Sequence, residues 1–217
     1  MDKKTLQKAL KDLKESSPKR NFSQSYDLII NLKDLNLKSA DNQVDTFVAL
    51  HYPTGKKRKI CALVGPELKE EAQTVCDASI TAEDFDKYVK DKKLTKKLAE
   101  EYDFFIAQAN VMPKVAGAFG KVFGPKQKMP NPKAGCVVPP KTNLAPLYDR
   151  LQKTVRAVAK TSLSIKIRVG TESQKEEEVI DNIMTFFQSV VHTLPKEEHN
   201  LRSVYLKLTM SKPVKLQ

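Results

Sequence analysis

Pro53-Thr-Gly-Lys-Lys-Arg-Lys-Ile-Cys-Ala-Leu-Val-Gly-Pro66 is where the chain changes character. A turn with a run of four cations, Lys56 to Lys59, leads into an unbroken apolar run, residues 60–64, closed by Gly65-Pro66. Unbroken runs suit strands buried on both faces, whereas a strand with one wet face alternates. Residues 104–108 and 136–138 repeat the short apolar run. Helical stretches follow each: residues 67–73, the segment opened by Asn110-Val-Met-Pro113, and residues 144–155. Strands alternating with helices predict a compact parallel sheet covered on both faces. Residues 87–101 read as a charged helical region with a solvated face.

Outward from this segment the style differs. Residues 26–32 and 44–50 read as strands, and the polar stretch 36–42 between them predicts a long hairpin. Ser162-Leu-Ser-Ile-Lys-Ile-Arg-Val169 places Leu163, Ile165, Ile167 and Val169 on one face, and residues 204–208 alternate again. Val179, Ile180, Ile183, Met184, Phe187, Val190 and Val191 form a helical stripe. Residues 3–16 predict a helix, stopped at Pro18, whose Leu6, Leu10 and Leu13 pack on the body of the protein. The expected architecture is α/β and α+β in two domains. Residues 1–56 and 154–217 form a discontinuous α+β domain, and residues 57–153 an inserted Rossmann-like three-layer α/β/α domain.

The 217 residues, 40% hydrophobic and 29% charged, describe a globular chain able to bury a core. No apolar run approaches the ~18 residues a membrane span needs, and the charged N-terminus lacks a secretory signal's apolar centre. Three widely spaced cysteines, Cys61, Cys76 and Cys136, read as reduced core thiols of an intracellular, cytoplasmic protein. No membrane partner is expected.

Charge is unevenly distributed. Between Asp103 and Glu172 stand twelve Lys and Arg against the single acid Asp149, so nearly all of the formal excess of +12 lies there. Residues 117–135, Gly-Ala-Phe-Gly-Lys-Val-Phe-Gly-Pro-Lys-Gln-Lys-Met-Pro-Asn-Pro-Lys-Ala-Gly, hold four of the seven glycines. Such a block points to a polyanion. It is no phosphate loop: Val122 follows Gly120-Lys121 where Ser or Thr is required, and the dinucleotide glycine spacing is missing. His51, His192 and His199 are scattered, with no ligand spacing for a metal. Nothing converges on a nucleophile with a general acid and base. No cofactor is expected, and binding is favoured over catalysis. Within the block, Lys121, Lys126, Lys128 and Lys133 are candidate RNA contacts, while Phe119 and Phe123 either stack on bases or, the favoured reading, anchor the segment. The alternative reading is an α/β enzyme handling nucleotides or phosphoesters through this loop.

A second candidate surface lies at the chain ends. Lys19-Arg20-Asn21-Phe22 leads into the first strand, and residues 201–217 carry four cations and no acid. If the terminal strands lie together, Phe22, Thr209 and Met210 make a partly apolar platform flanked by cations, including Arg20 and Lys212, suited to the wide minor groove of RNA.

At these residues the chain resembles the ribosomal protein L-one family over nearly its full length. Residues 120–135 resemble the family's Gly-Pro…Met/Leu-Pro-Asn-Pro-Lys signature, residues 201–210 its C-terminal strand, and residues 21–27 the approach to its first strand. The resemblance implies a non-enzymatic protein of the ribosome's mobile stalk, in two domains, the inserted one Rossmann-like without its nucleotide. It implies that large-subunit ribosomal RNA is gripped by the first domain and exit-site transfer RNA is touched by the stalk. Carried over by motif, Phe22, Ser25, Asp27, Thr209, Met210 and Ser211 lie at the ribosomal RNA surface. Ser211 stands where the family often has Gly, and Asp27 where it commonly has Glu.

Overall fold

The computed structural model describes residues 2–18, 20–39 and 42–217. The chain opens with α1 (Lys3–Ser16), β1 (Ser25–Leu32), β2 (Val44–Ala49), β3 (Ile60–Val64), α2 (Lys69–Val75) and β4 (Ala78–Thr81). Next come α3 (Phe85–Lys90), α4 (Lys92–Glu101), β5 (Phe104–Gln108), α5 (Met112–Phe123), β6 (Val137–Val138) and α6 (Ala145–Lys153). It closes with β7 (Thr154–Ala159), β8 (Ser164–Thr171), α7 (Glu176–Thr193), β9 (Leu201–Leu208) and β10 (Val214–Lys215). These fall into two compact units, Met1–Lys56 with Lys153–Gln217, and Lys57–Gln152.

The first unit is built on an antiparallel sheet of order β10-β9-β1-β8. Alternation in β1 turns Tyr26, Leu28, Ile30 and Leu32 into the core and Asp27, Ile29 and Asn31 to the other face. Helices α1 and α7 cover the core face. Leu6, Leu10 and Leu13 are fully buried, as their spacing predicts, each worth ~1.5–3 kcal/mol of apolar burial. Helix α7 starts with Glu176-Glu177-Glu178 at the positive end of its dipole. Its fully buried Asn182 donates to the carbonyls of Val169 and Tyr52 and accepts the Tyr52 N–H, locking helix to sheet.

The expected hairpin between the first two strands does not form. β2 pairs instead with β7, Val44 opposite Ala159 through Ala49 opposite Thr154, in a two-stranded ribbon. Residues 154 and 155, expected to end a helix, begin β7, because the β-branched run Thr154-Val155 extends after Lys153. Arg156 grips Asp45 across this ribbon with two hydrogen bonds of 2.7 and 2.8 Å, and Lys160 adds a third contact at 2.7 Å. Gly55, at φ +79°, is required at the turn: a Cβ there would overlap the methyl carbon of Thr171.

The second unit is a parallel sheet of order β4-β3-β5-β6. All five residues of β3 are buried, as an unbroken apolar run requires. Cys61, Leu63, Phe105 and Ala107 share a core with α3, α4 and α5, where Phe85, Phe119 and Phe123 pack ring on ring. The three thiols are free and buried, and burial pushes Cys61 up to about 12 and Cys76 and Cys136 up to about 11. The four-residue strand β4 escapes sequence reading. The charged region 87–101 is two helices, broken at Asp91, whose carboxylate accepts the Lys93 and Leu94 N–H groups at the start of α4. Among the described residues no helix is long and apolar enough to cross a membrane.

Candidate nucleic-acid interface

The seam between β1 and β9 gathers one set of predicted residues. The Ser25 N–H donates to the Thr209 hydroxyl at 3.1 Å, and the Thr209 N–H returns a bond of 3.1 Å to the Ser25 carbonyl. Just beyond, the Met210 N–H donates to the side-chain oxygen of Gln24 at 3.2 Å. Gln24 is buried and is held in turn by Ser17 and by the Glu172 N–H. With its backbone fixed this way, Met210 still leaves 59% of its surface in water, and Phe22 leaves 53%. Exposed apolar side chains grouped beside cations make a surface suited to a partner with both apolar and anionic groups. Arg20, Asn21, Phe22 and Ser23 line a groove of 530 Å³ with Glu172 and Ser173. Lys19, read with them as a cation, lies outside the described residues.

Ser211 closes the turn after β9. Its hydroxyl accepts the Leu208 N–H at 2.8 Å, and its own N–H donates to the Leu208 carbonyl. Its φ is not positive, so this turn does not demand glycine. Lys212 follows, exposed. Asp27 lies on the open face of the same sheet, opposite Arg168 on one side and Lys207 on the other. Burial raises its carboxyl, while Arg168 and Lys207 pull the other way.

The Gly/Pro segment of the second unit is less uniform than its sequence. Residues up to Phe123 are helix α5, with Phe119 and Phe123 fully buried as anchors and Gly117 and Gly120 on an open surface. Lys121 and Lys133 are exposed. Lys126 pairs with Glu100 at 2.7 Å. Lys128 is half-buried and donates to the carbonyls of Tyr102 and Asp103 at 3.0 and 3.1 Å, closing the end of α4. Asn131 and Gly135, the latter at φ +78°, shape the turn before β6.

In a doubly wound sheet ligands enter where the strand order reverses, here between the C-terminal ends of β3 and β5. There the protein supplies its own partner for a backbone donor. The buried Gln108 side chain accepts the Gly65 N–H at 2.8 Å and donates to Glu67 at 3.0 Å. A backbone donor suited to phosphate is thus occupied, with a carboxylate beside it. Neither Gln24 nor Gln108 stands out in the sequence, because nothing in it separates a buried glutamine from a surface one.

The sequence profile of the ribosomal protein L1p/L10e family matches residues 13–212. The chain belongs to that family. It is 37% identical to the large ribosomal subunit protein uL1 of Methanothermococcus thermolithotrophicus, over all of both chains. The protein of the same name from Pyrococcus abyssi is 36% identical over all of this chain and 97% of its own. That of Thermoplasma acidophilum is 35% identical over 98% and 95%. The resemblance carried by residues 120–135 and 201–210 is therefore borne out, and with it a ribosomal protein that is a structural constituent rather than an enzyme.

Proposed function

We propose that the protein is a cytoplasmic, structural component of the large ribosomal subunit that grips large-subunit ribosomal RNA with the discontinuous first domain. It serves there in the mobile stalk. The observation that carries this reading is the pair of exposed apolar side chains at the approach to β1 and just past β9, Phe22 and Met210, the latter tethered through Gln24, Ser25 and Thr209. Arg20, Ser211, Lys212 and Asp27 complete the surface. Apolar and hydroxyl groups there meet ribose and base edges, and the cations meet phosphate. The inserted domain contacts exit-site transfer RNA through Lys121, Lys133 and the open glycine surface of α5. Lys126, paired with Glu100 at the surface, and half-buried Lys128 hold the neighbouring segment in place.

Co-sedimentation of the full chain with large ribosomal subunits tests this reading. Saturable binding to large subunits that Met210→Ala weakens is the expected result. Absence from large subunits at moderate salt would remove the reading altogether. The phosphoester-handling alternative has against it the Gly65 N–H taken by Gln108, with the Glu67 carboxylate beside it.

A further inference from the structure

The sheet face that carries Asp27 continues well past the rim just described. Two residues further along β1 lies Ile29, opposite Lys166 on β8 and Tyr205 on β9, and Tyr205 in turn stands opposite Lys215 on β10. Directly opposed residues of antiparallel strands point to the same side. The face therefore presents two cross-strand rows, Arg168–Asp27–Lys207 and Lys166–Ile29–Tyr205–Lys215, about 7 Å apart along the strands. The second row spans roughly 14 Å across three strand spacings.

Lys166, Arg168 and Lys215 are exposed, and none of the four cations makes an ion pair among the described residues. Asp27 is the one acid in either row. The upper part of the face forms a groove of 360 Å³ lined by Asp27, Ile29, Lys166, Arg168 and Lys207. Tyr205 and Ile29 are half-exposed between the cations. Unpaired cations flanking an aromatic ring on a flat sheet form a binding platform for a single nucleic-acid strand, with phosphates on the lysines and a base on the ring.

We propose that this face carries an RNA strand leaving the Phe22–Met210 rim, with backbone phosphates held by Lys166 and Lys215 and a base stacked on Tyr205. The proposal rests on the ribosomal RNA reading above and extends it to residues outside that surface. The two surfaces are continuous through Asp27, which belongs to both, so a strand bound at the rim meets the second row without a break. Charge and ring together favour RNA over an acidic protein segment, which has no use for a stacking surface.

The test is titration of the full chain with purified large-subunit ribosomal RNA over a series of potassium chloride concentrations. For the double variant Lys166→Gln with Lys215→Gln, the slope of log affinity against log salt should become shallower by roughly 1.4–1.8, two contacts' worth. Its thermal midpoint should not move. Tyr205→Leu should weaken binding by about 5- to 100-fold, and Tyr205→Phe should restore it. An unchanged slope in the double variant, with Thr209→Ala still weakening binding, would overturn the proposal and leave the rim reading standing. If Thr209→Ala also binds as wild type, both fail. Polyglutamate that binds as tightly as RNA, and is lost in the double variant, would assign the face to an acidic protein segment and sink the RNA-strand proposal.

Discussion

The open sheet face of the first unit and the Gly/Pro segment of the second hold their positive charge differently. In the second, Lys126 is paired with Glu100, Lys128 is folded onto two carbonyls, and the amide at the sheet crevice is taken by Gln108. In the first, Lys166, Arg168, Lys207 and Lys215 stand on a sheet face without ion pairs among the described residues, beside an exposed phenylalanine and methionine. Charge density in a sequence is thus a poor guide to charge available for binding. The Gly/Pro block carries the family's signature, but much of its chemistry maintains its own fold. The difference follows from sheet type: a parallel sheet is covered on both faces, and an antiparallel sheet can leave one bare.

The separate roles proposed for the units imply separable defects. Phe119→Ala, which empties the aromatic core of the second unit, should cost ~3–5 kcal/mol of that unit's stability. Calorimetry should show it as a lowered transition, with ribosomal RNA affinity at 25 °C unchanged. Equal loss of affinity would break the division between the units. Thr209→Ala and Met210→Ala should each weaken ribosomal RNA binding by ~1–3 kcal/mol, read by filter binding; Met210→Ala should leave the melting temperature unchanged, while Thr209→Ala should also lower stability by ~1 kcal/mol, since its hydroxyl holds the buried Ser25 N–H. Lys128→Ala should lower stability by about 1–2 kcal/mol through two orphaned carbonyls, whereas Lys121→Ala stays within ~0.5 kcal/mol of wild type. Matching denaturation midpoints for these two would refute the supporting role of Lys128.

Away from that open face the first unit does pair its charges, and Asp45 engages two cations at once. Hydrogen bonds from Arg156, then from Lys160, hold its carboxyl down to about 2, against burial. A folded value below the unfolded one, about 3.9, means its contribution is complete above that pH and lost as pH falls towards 2. Asp45→Asn should therefore flatten acid unfolding between pH 4 and 2, followed by circular dichroism. The smallest effect belongs to Tyr26, whose buried hydroxyl has no hydrogen-bond partner among the described residues and whose pKa burial raises to about 12. Tyr26→Phe should leave urea stability unchanged or raise it by up to ~1 kcal/mol, since no bond is lost. A clear destabilisation would reveal a partner for that hydroxyl.

Strands whose burial follows a strict pattern are legible in the residues alone. The alternation of residues 162–169 and the unbroken run of residues 60–64 each follow from how many faces are covered. Pairing is less legible. The expected hairpin fails because β7 lies more than a hundred residues from β2, and no local pattern announces such a partner. At the interface, Phe22, Thr209 and Met210 can be named because the chain ends are basic and resemble a family. Gln24, which fixes Met210, cannot, since burial is a property of the folded chain. The same holds for Lys128, one lysine among many until the end of α4 is seen beneath it.

Gln108 has a consequence beyond its crevice. Many proteins with this sheet arrangement complete it by taking up a nucleotide, so their shape reports on how much nucleotide is present. Here a side chain supplies that contact from within, Gln108 taking the Gly65 N–H. The bond between Gly65 and Gln108 therefore belongs to the architecture of the unit, joining the end of β3 to the end of β5 with no outside group.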